Sequence, residues 1–247
     1  MDTSRAEALH LTGERTVPGV AEENYWYRRH EAAYHVVTPY CAGAAVLEAG
    51  CGEGYGAALL GAHAARVIAL DYDEVTTEHV ARVYPDAATV RGNLAHLPLA
   101  DASIDVVANL QVLEHLWDQY GFLAECRRVL RPGGTLVVTT PNRLTFTPDS
   151  DVPLNPYHTR ELSPSELDEM LREAGSRCSA WTACTTVPAY VNSTSATAGR
   201  SSTRSWRSSW AACPARRNGR NSSWPTSRRS PPTTSTSTTG TSTRAST

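Results

Sequence analysis

The chain has 247 residues, with 23 Arg and no Lys against 25 Asp plus Glu, for a formal net charge of −2. This length fits one domain with an appendage, and no apolar run approaches the roughly 18 residues that a transmembrane helix needs. The start, MDTSRAEALH, lacks the apolar core of a signal peptide, so we expect a cytoplasmic protein without a membrane partner. Six Cys without a CxxC pair predict reduced thiols rather than zinc ligands.

The predicted elements alternate between strands and helices after one N-terminal helix. In chain order we predict a helix over 21–37, a strand over 44–50, a helix over 55–64, a strand over 65–71, a helix over 73–84, strands over 87–93 and 103–110, a helix over 118–130, a strand over 135–141 and a helix over 163–175. The RPGG segment at 131–134 should end a helix, and Ser163 with Glu166 predicts a capping box. This order indicates an α/β fold with a mostly parallel sheet and helices on both faces.

Three regions divide the chain. Residues 1–39 hold an N-terminal segment and an aromatic-rich helix, which is either a lid over a ligand or a packing helix. Residues 40–175 form the α/β domain. Residues 176–247 form a tail, and its last 69 residues contain 31 Ser or Thr, 9 Arg and no acid. Such a segment cannot bury enough apolar surface to offset chain entropy, so we expect disorder.

A change of reading frame explains the composition of this tail better than a natural basic linker does. In a GC-rich gene, reading from the third base of each codon turns Ser and Trp into Val or Leu, and Thr into Asp or His. Applied to residues 221–247, the change restores acids and aliphatic residues in globular proportion. We therefore expect a frame slip near 175–176, with a real disordered tail as the alternative. The Arg content then follows from the frame and does not indicate nucleic-acid binding.

The segment VLEAGCGEGYG (46–56) lies at the first predicted strand-to-helix turn. Gly50, Gly52 and Gly54 would let the backbone approach a ligand and expose amides at the helix start. A dinucleotide-binding G-x-G-x-x-G motif would need glycine where Tyr55 stands. Glu48 would repel a pyrophosphate but would suit a ligand with an ammonium or sulfonium group.

Asp71 ends the second predicted strand, where a carboxylate can accept both hydroxyls of a ribose. Two plainer interpretations remain for the acids. Glu48 can be a surface acid that faces a helix, and Asp71 can cap the following helix.

Five segments, in this order and spacing, resemble the motifs of class I S-adenosylmethionine-dependent methyltransferases of type 11. They are VLEAGCGEGYG (46–56), VIALDYD (67–73), NLAHLPLADASIDVV (93–107), LQVLEHLWD (110–118) and RVLRPGGTLVVTTPN (128–142). The resemblance covers about residues 40–145 and implies a Rossmann-like fold. In that fold the C-terminal part supplies the last two strands, one of them antiparallel beside the fifth. This chain has its Ser- and Thr-rich tail in that region, so we expect both strands to be missing.

The same resemblance implies S-adenosylmethionine as the cofactor and assigns residues to it. The glycine loop, with Cys51, would hold the methionine moiety; Asp71, with Tyr72 beside it, would hold the ribose. Asn93 and Leu94 would lie against adenine, although many members have Asp in place of Asn93. Gln111, after the fourth strand, would meet the methionine end.

The flanking segments resemble a narrower group, the actinobacterial sugar O-methyltransferases, including the mycobacterial kind that methylates precursors of methylmannose polysaccharides. These segments are residues 11–34, 111–119 and PLNPYHTREL (153–162). The implied substrate is a sugar or another small hydroxylated molecule. Methylation of carbon or nitrogen is an alternative, as is a non-catalytic or inactive frameshifted fragment. An NAD dehydrogenase fits least, and the sequence does not indicate an oligomeric state.

His115 is the candidate general base, since it follows the fourth strand and its ordinary pKa lies near neutrality. Glu114 would orient it, or the pair would contribute to a divalent-metal site; we assign no metal ligands from the sequence. His158 is a second candidate for a substrate or metal role. Aromatic residues that can stack on a sugar, or can instead belong to the core, are Tyr25, Trp26, Tyr27, Trp117 and Tyr157.

Overall fold

A computed structural model describes Leu9, residues 15–175 and the pair Cys213–Pro214. Its helices are α1 (Asn24–Val37), α2 (Tyr55–Gly61), α3 (Glu74–Val83), α4 (Gln119–Val129), α5 (Arg143–Phe146) and α6 (Pro164–Glu173). Its strands are β1 (Ala45–Ala49), β2 (Arg66–Asp71), β3 (Ala88–Arg91), β4 (Ile104–Leu110), β5 (Leu130–Thr139) and β6 (Cys213–Pro214). The short strand β6 pairs antiparallel with β5, so the expectation that no such strand is present is wrong for these two residues. The other predictions about residues 176–247 lie outside the described residues.

The strands form one sheet in the order β3-β2-β1-β4-β5-β6. The first five are parallel, and β6 pairs antiparallel with β5 through two residues only. This confirms the predicted α/β class. Because the chain moves outward from β1 in both directions, the carboxyl ends of β1 and β4 form a topological switch point, where open α/β sheets bind ligands.

Two apolar cores cover the two faces of the sheet, because successive strand residues point to opposite sides. Val46 packs with residues of α1, α2 and α3, among them Val37, Leu60 and Val80. Leu47 packs on the other face with residues of α4 and α6, among them Phe122. The two-period alternation therefore sends the Glu48 side chain to the same face as Val46, toward α1 and α2.

The RPGG segment follows the end of a helix, as predicted, but it belongs to a strand that we expected to begin only at residue 135. The helix α4 ends at Val129, and β5 begins at once at Leu130, so residues 131–134 lie inside the strand. Ile104 pairs with Leu130 and Val106 with Thr135, which makes RPGG a bulge. An ion pair of 2.6 Å between Arg131 and Asp105 ties this bulge to β4.

Short turns complete the carboxyl edge of the sheet. A 3-10 turn at Leu113–His115 follows β4, and α5 follows β5; neither was predicted. The predicted capping box of Ser163 and Glu166 is confirmed. Within the described residues, we find no helix that is both apolar enough and long enough to cross a bilayer; the cytoplasmic location stays a prediction.

Candidate cofactor and active site

The glycine loop between β1 and α2 lies at the switch point. Gly50 has φ +86°, and a Cβ there would lie 2.6 Å from Val112 Cγ1, so only glycine fits. Gly52 also has a positive φ, yet the nearest atom to its missing Cβ is Arg15 Cβ at 3.8 Å. The loop is thus tight beneath Gly50 and open beside Gly52, which leaves room for a ligand to approach the backbone.

The amides of this loop differ from the expectation that they are exposed. Gly50 and Cys51 N–H both donate to Leu70 O, at 2.9 and 3.0 Å, and Gly54 N–H donates to Cys51 O. Gly52 N–H donates to Asp71 Oδ2 at 3.0 Å. The loop amides therefore hold the loop against the end of β2, and a ligand would meet carboxylates and open space rather than a nest of amides.

Glu48 is buried in β1 at 2% exposure, so it is not a surface acid. Tyr34 Oη, from α1, donates to Glu48 Oε1 at 2.5 Å, while Glu48 Oε2 is buried without a hydrogen-bond partner. Burial, with a smaller contribution from the charge of Asp71, raises the pKa of Glu48 to about 8. An approaching cation would favour the ionised carboxylate, so the site suits a positively charged ligand.

Asp71 lies at the end of β2 and faces the loop. Its Oδ2 accepts from Gly52 N–H, and its Oδ1 accepts from Asp73 N–H at 3.1 Å. The helix cap of α3 is Asp73, whose side chain accepts from Thr76 N–H, so the alternative of Asp71 as a cap is wrong. Tyr72 follows with its side chain 70% exposed.

The remaining cofactor candidates line the same carboxyl edge. Leu94 is buried at 8%, and Asn93 Oδ1 accepts from Ala95 N–H at 2.9 Å. That oxygen keeps a second lone pair for a ligand. Gln111 has φ +58°, which is uncommon for a residue with a side chain and is typical of functional sites. Its N–H donates to Thr139 O at 2.8 Å and fixes this backbone beside the end of β4.

A cluster of titratable side chains lies just beyond the carboxyl ends of β4 and β5. The ring of His115 reaches Tyr157 O through Nδ1, at 3.0 Å. Because a carbonyl only accepts, Nδ1 carries the proton and the neutral ring has its lone pair on Nε2. Glu114 is 1% exposed, and its Oε2 accepts from Thr140 Oγ1 at 2.9 Å. Burial, with a contribution from the charge of Glu161, raises the pKa of Glu114 to about 8.

His158 stands beside His115, with ring centroids 4.8 Å apart. Asn155 Oδ1 accepts from Tyr157 N–H at 3.0 Å, so the Asn155 amide nitrogen must face His158 Nε2, at 3.1 Å. His158 Nε2 is therefore an acceptor, and its Nδ1–H donates to Glu161 Oε1 at 2.6 Å. The structure thus brings His158 to the pair of Glu114 and His115, which the sequence analysis had already named together.

The N-terminal helix α1 packs onto the domain beside the glycine loop and beside the cluster of Glu114, His115 and His158. His30 Nδ1 lies 3.1 Å from Tyr55 Oη, and burial lowers the pKa of His30 to about 4, so it is neutral. Trp26 packs edge-on against Phe146 of α5, whose ring lies 5.6 Å from the ring of His158. Both interpretations of this helix stay open, because a packed helix at this position also covers the cofactor edge.

Comparison with known proteins decides the family. A family model described as a methyltransferase domain matches residues 47–138. A probable S-adenosylmethionine-dependent methyltransferase of Mycolicibacterium smegmatis is 62% identical over 174 residues, which are 70% of this chain and 68% of that protein. The chain belongs to the S-adenosylmethionine-dependent methyltransferases. A probable methyltransferase of the same kind from Mycobacterium tuberculosis is 56% identical over 173 residues, 70% of this chain and 63% of that protein.

This methyltransferase therefore spans about two thirds of the length of those relatives. It is 34% identical to a ubiquinone biosynthesis O-methyltransferase of Maricaulis maris over 110 residues, 41% of this chain and 42% of that protein. A solved S-adenosylmethionine-dependent methyltransferase of Mesorhizobium loti shares the fold, with a TM-score of 0.52 and 19% identity over 60% of this chain and 80% of that one. The predicted enzyme class and its cofactor, S-adenosylmethionine, follow from the family.

The residues of this methyltransferase fit that cofactor. The sulfonium and ammonium groups of the cofactor are cationic, and Glu48 has a buried carboxylate oxygen without a hydrogen-bond partner, which suits a cationic group. Sequence reasoning missed Tyr34, since nothing local to α1 indicates that it packs on β1. It also missed Glu161, although the three-residue spacing from His158 was a usable signal.

Proposed function

We propose that this methyltransferase transfers a methyl group to a hydroxyl of a small molecule, and that a sugar is the acceptor. The observation that carries the proposal is the cluster of His115, Glu114 and His158 at the carboxyl ends of β4 and β5. It lies on the side of the switch point away from Asp71, where an acceptor would meet the methionine end of the cofactor.

The cofactor would lie along the carboxyl edge of β2, β1 and β4. Bound S-adenosylmethionine supplies an electrophilic methyl group on a sulfonium. Glu48 would balance the positive charge at the loop, and the Asp71 carboxylate would accept ribose hydroxyls beside Tyr72. Asn93 and Leu94 would contact adenine. The remaining residues assigned to the cofactor are Gly50, Cys51, Gly52, Gly54 and Gln111.

His115 would handle the acceptor proton. A hydroxyl needs to lose its proton as it attacks, and Nε2 carries the lone pair when Nδ1–H donates to Tyr157 O. Nε2 can take that proton itself or hold an ion that makes the hydroxyl more acidic. A divalent metal belongs to this proposal only at the cluster of Glu114, His115 and His158.

Exposed aromatic rings beside this cluster support a sugar as the acceptor. Trp117 follows His115 closely and is 93% exposed, and Tyr157 and Trp26 are also exposed. Trp117 lines a surface pocket with Thr159 and Arg160. Aromatic faces offer apolar area next to polar groups, an arrangement that suits an amphipathic ring.

Labelled methyl transfer to an acceptor panel tests the proposal. The 247-residue chain is expected to methylate mannosides or glucosides, with less transfer to a phenol or catechol and none to amines. Replacing Trp117 with Ala should raise the KM for the sugar while leaving S-adenosylmethionine affinity unchanged. Efficient transfer to an amine or to a quinone carbon, without transfer to any sugar, would contradict a sugar hydroxyl as the acceptor.

We also propose that the reading frame changes near 175–176. The first relative has nearly the same length as this chain, yet the match covers a segment only as long as the part before the proposed change. All Asp and Glu of the chain lie before residue 178. Sequencing the gene across codons 170–180 should reveal one missing or extra base, and restoring the frame should extend the match with the relative. An uninterrupted frame would contradict the proposal.

A further inference from the structure

One cluster in the described part of the chain combines the residue types that bind transition metals. Glu114, His115 and His158 each offer one donor atom, and these atoms lie within 4.8 Å of one another. We propose that the cluster binds a divalent transition-metal ion, Mn²⁺ or Zn²⁺, on which the acceptor hydroxyl sits. The inference rests on the proposed methylation of a hydroxyl and specifies how His115 acts there.

The hydrogen bonds behind the two imidazoles are those of metal ligands. A ligating His generally donates its second N–H to a carbonyl or carboxylate, which fixes the tautomer and aims the other nitrogen at the ion. His115 does this toward Tyr157 O at 3.0 Å, and His158 toward Glu161 Oε1 at 2.6 Å. Both rings therefore present Nε2 as the lone-pair nitrogen.

Two buried carboxyl groups at the cluster have no Arg partner in the described part of the chain. Glu114 and Glu161 are 1% and 3% exposed, and within the described residues neither forms an ion pair with Arg. Glu161 Oε2 is buried without a hydrogen-bond partner. Buried carboxylates are costly unless they are paired or bind a metal. A divalent ion between Glu114 and the two rings would stabilise the ionised form of the Glu114 carboxyl group.

The donor set also indicates which ion fits. Two imidazole nitrogens and one carboxylate oxygen suit Zn²⁺ or Mn²⁺, and they leave open positions for a hydroxyl. Mg²⁺ prefers oxygen ligands and should bind more weakly. Donor atoms that lie about 2.0–2.2 Å from an ion are about 3.5 Å from one another. The three donor atoms lie within 4.8 Å of one another here, so they must approach each other by about 1 Å when the ion binds. The Asn155 amide, now on His158 Nε2, must turn away.

The ion would act on the acceptor rather than on the cofactor. A hydroxyl bound to a divalent ion ionises more readily, so its proton passes to solvent water and the alkoxide oxygen remains on the ion. That oxygen forms the new bond to the methyl carbon as the carbon–sulfur bond breaks. The products are the methyl ether, S-adenosylhomocysteine and one proton.

Titration of the chelator-treated full chain with MnCl₂, followed by calorimetry and by the electron paramagnetic resonance of Mn²⁺, tests the site. One Mn²⁺ per chain is expected at the cluster. Glu114→Gln and His158→Gln should weaken Mn²⁺ binding about 100-fold or more, and Glu161→Gln about 10–100-fold. His63→Ala and Glu78→Gln, at exposed positions, are matched controls and should leave binding unchanged. S-adenosylhomocysteine affinity reports that each variant is folded.

Replacing a buried ligand can weaken Mn²⁺ binding simply by destabilising the fold, so we also propose a variant that adds a ligand. Asn155→Asp keeps an oxygen for Tyr157 N–H and places a carboxylate next to His158 Nε2, so it should tighten Mn²⁺ binding about 10-fold or more. Unchanged Mn²⁺ affinity in this variant and in Glu114→Gln would overturn the metal site, as would a wild-type chain that binds no Mn²⁺.

Turnover separates this inference from the proposed function. Chelator treatment should abolish sugar methylation, and MnCl₂ or ZnCl₂ should restore it. Full turnover of the metal-free chain would overturn the metal site, leaving His115 as the base and the proposed function intact. A chain that binds Mn²⁺ at the cluster but methylates no hydroxylated acceptor would overturn the proposed function and leave the metal-binding site standing.

Discussion

Replacing His115 with Ala is expected to lower kcat by about 10²- to 10⁴-fold, the range for a group that handles the proton of the reacting atom. The ring lies directly after β4, and its Nδ1–H is held by Tyr157 O at 3.0 Å, so Nε2 has a fixed direction. S-adenosylmethionine affinity should change little, since the cofactor candidates lie on the other side of the switch point. Steady-state turnover and calorimetry on the same preparation measure both quantities.

Tyr157→Phe is the matched control for this prediction. It keeps the backbone carbonyl that orients His115 and removes only the phenol oxygen, so kcat should stay within a few-fold of the wild type. If His115→Ala also stays within a few-fold, then His115 does not act on the acceptor proton, and alignment of the two substrates drives the transfer.

Replacing Glu48 with Gln is expected to have opposite effects on stability and on cofactor binding. Gln keeps the size of the side chain and a hydrogen bond with Tyr34 but removes the ionisation of a group that is 2% exposed. The ligand-free variant should be more stable than the wild type, by up to about 3 kcal/mol at pH 7. S-adenosylmethionine should bind about 1 kcal/mol or more weaker, because the carboxylate that faces its positive charge is gone.

The stability difference should depend on pH in one direction. The pKa of Glu48 is about 8 in the folded chain against 4.5 for the ordinary group. Because the folded-state pKa is raised, the stability it contributes is fully present below about pH 4.5 and is lost as the pH rises through about 8. Thermal melts of both proteins from pH 5 to 8.5 should diverge as the pH rises. Parallel melting curves would show that Glu48 ionises normally or is not buried.

The order of strands and helices follows from local pattern, and so does the glycine loop. Gly50 and Gly52 have positive φ, and glycine in the sequence already indicates such a conformation. Partners that lie far apart in sequence carry no such signal. Tyr34 meets Glu48 only because α1 packs over β1, and the segment around His158 reaches Glu114 only because it returns to the turn after β4.

The RPGG segment shows a different limit. Pro and Gly indicate a break in regular structure, but they do not distinguish a loop from a bulge. The bulge depends on Arg131 reaching Asp105 on the neighbouring strand, a contact that only the assembled sheet provides.

Titration of S-adenosylhomocysteine into the wild-type chain and into Asp71→Ala tests the cofactor site most directly. The Asp71 carboxylate accepts from Gly52 N–H and would accept ribose hydroxyls, so its loss should weaken binding by about 1.5–3 kcal/mol. Asp86→Ala, at an exposed position after the carboxyl end of α3 and therefore at the opposite end of that helix from Asp71, is the control and should bind like the wild type. Saturable binding by the wild type and by Asp86→Ala, with the predicted loss in Asp71→Ala, is the result that the account predicts. Equal affinity in all three proteins would contradict it.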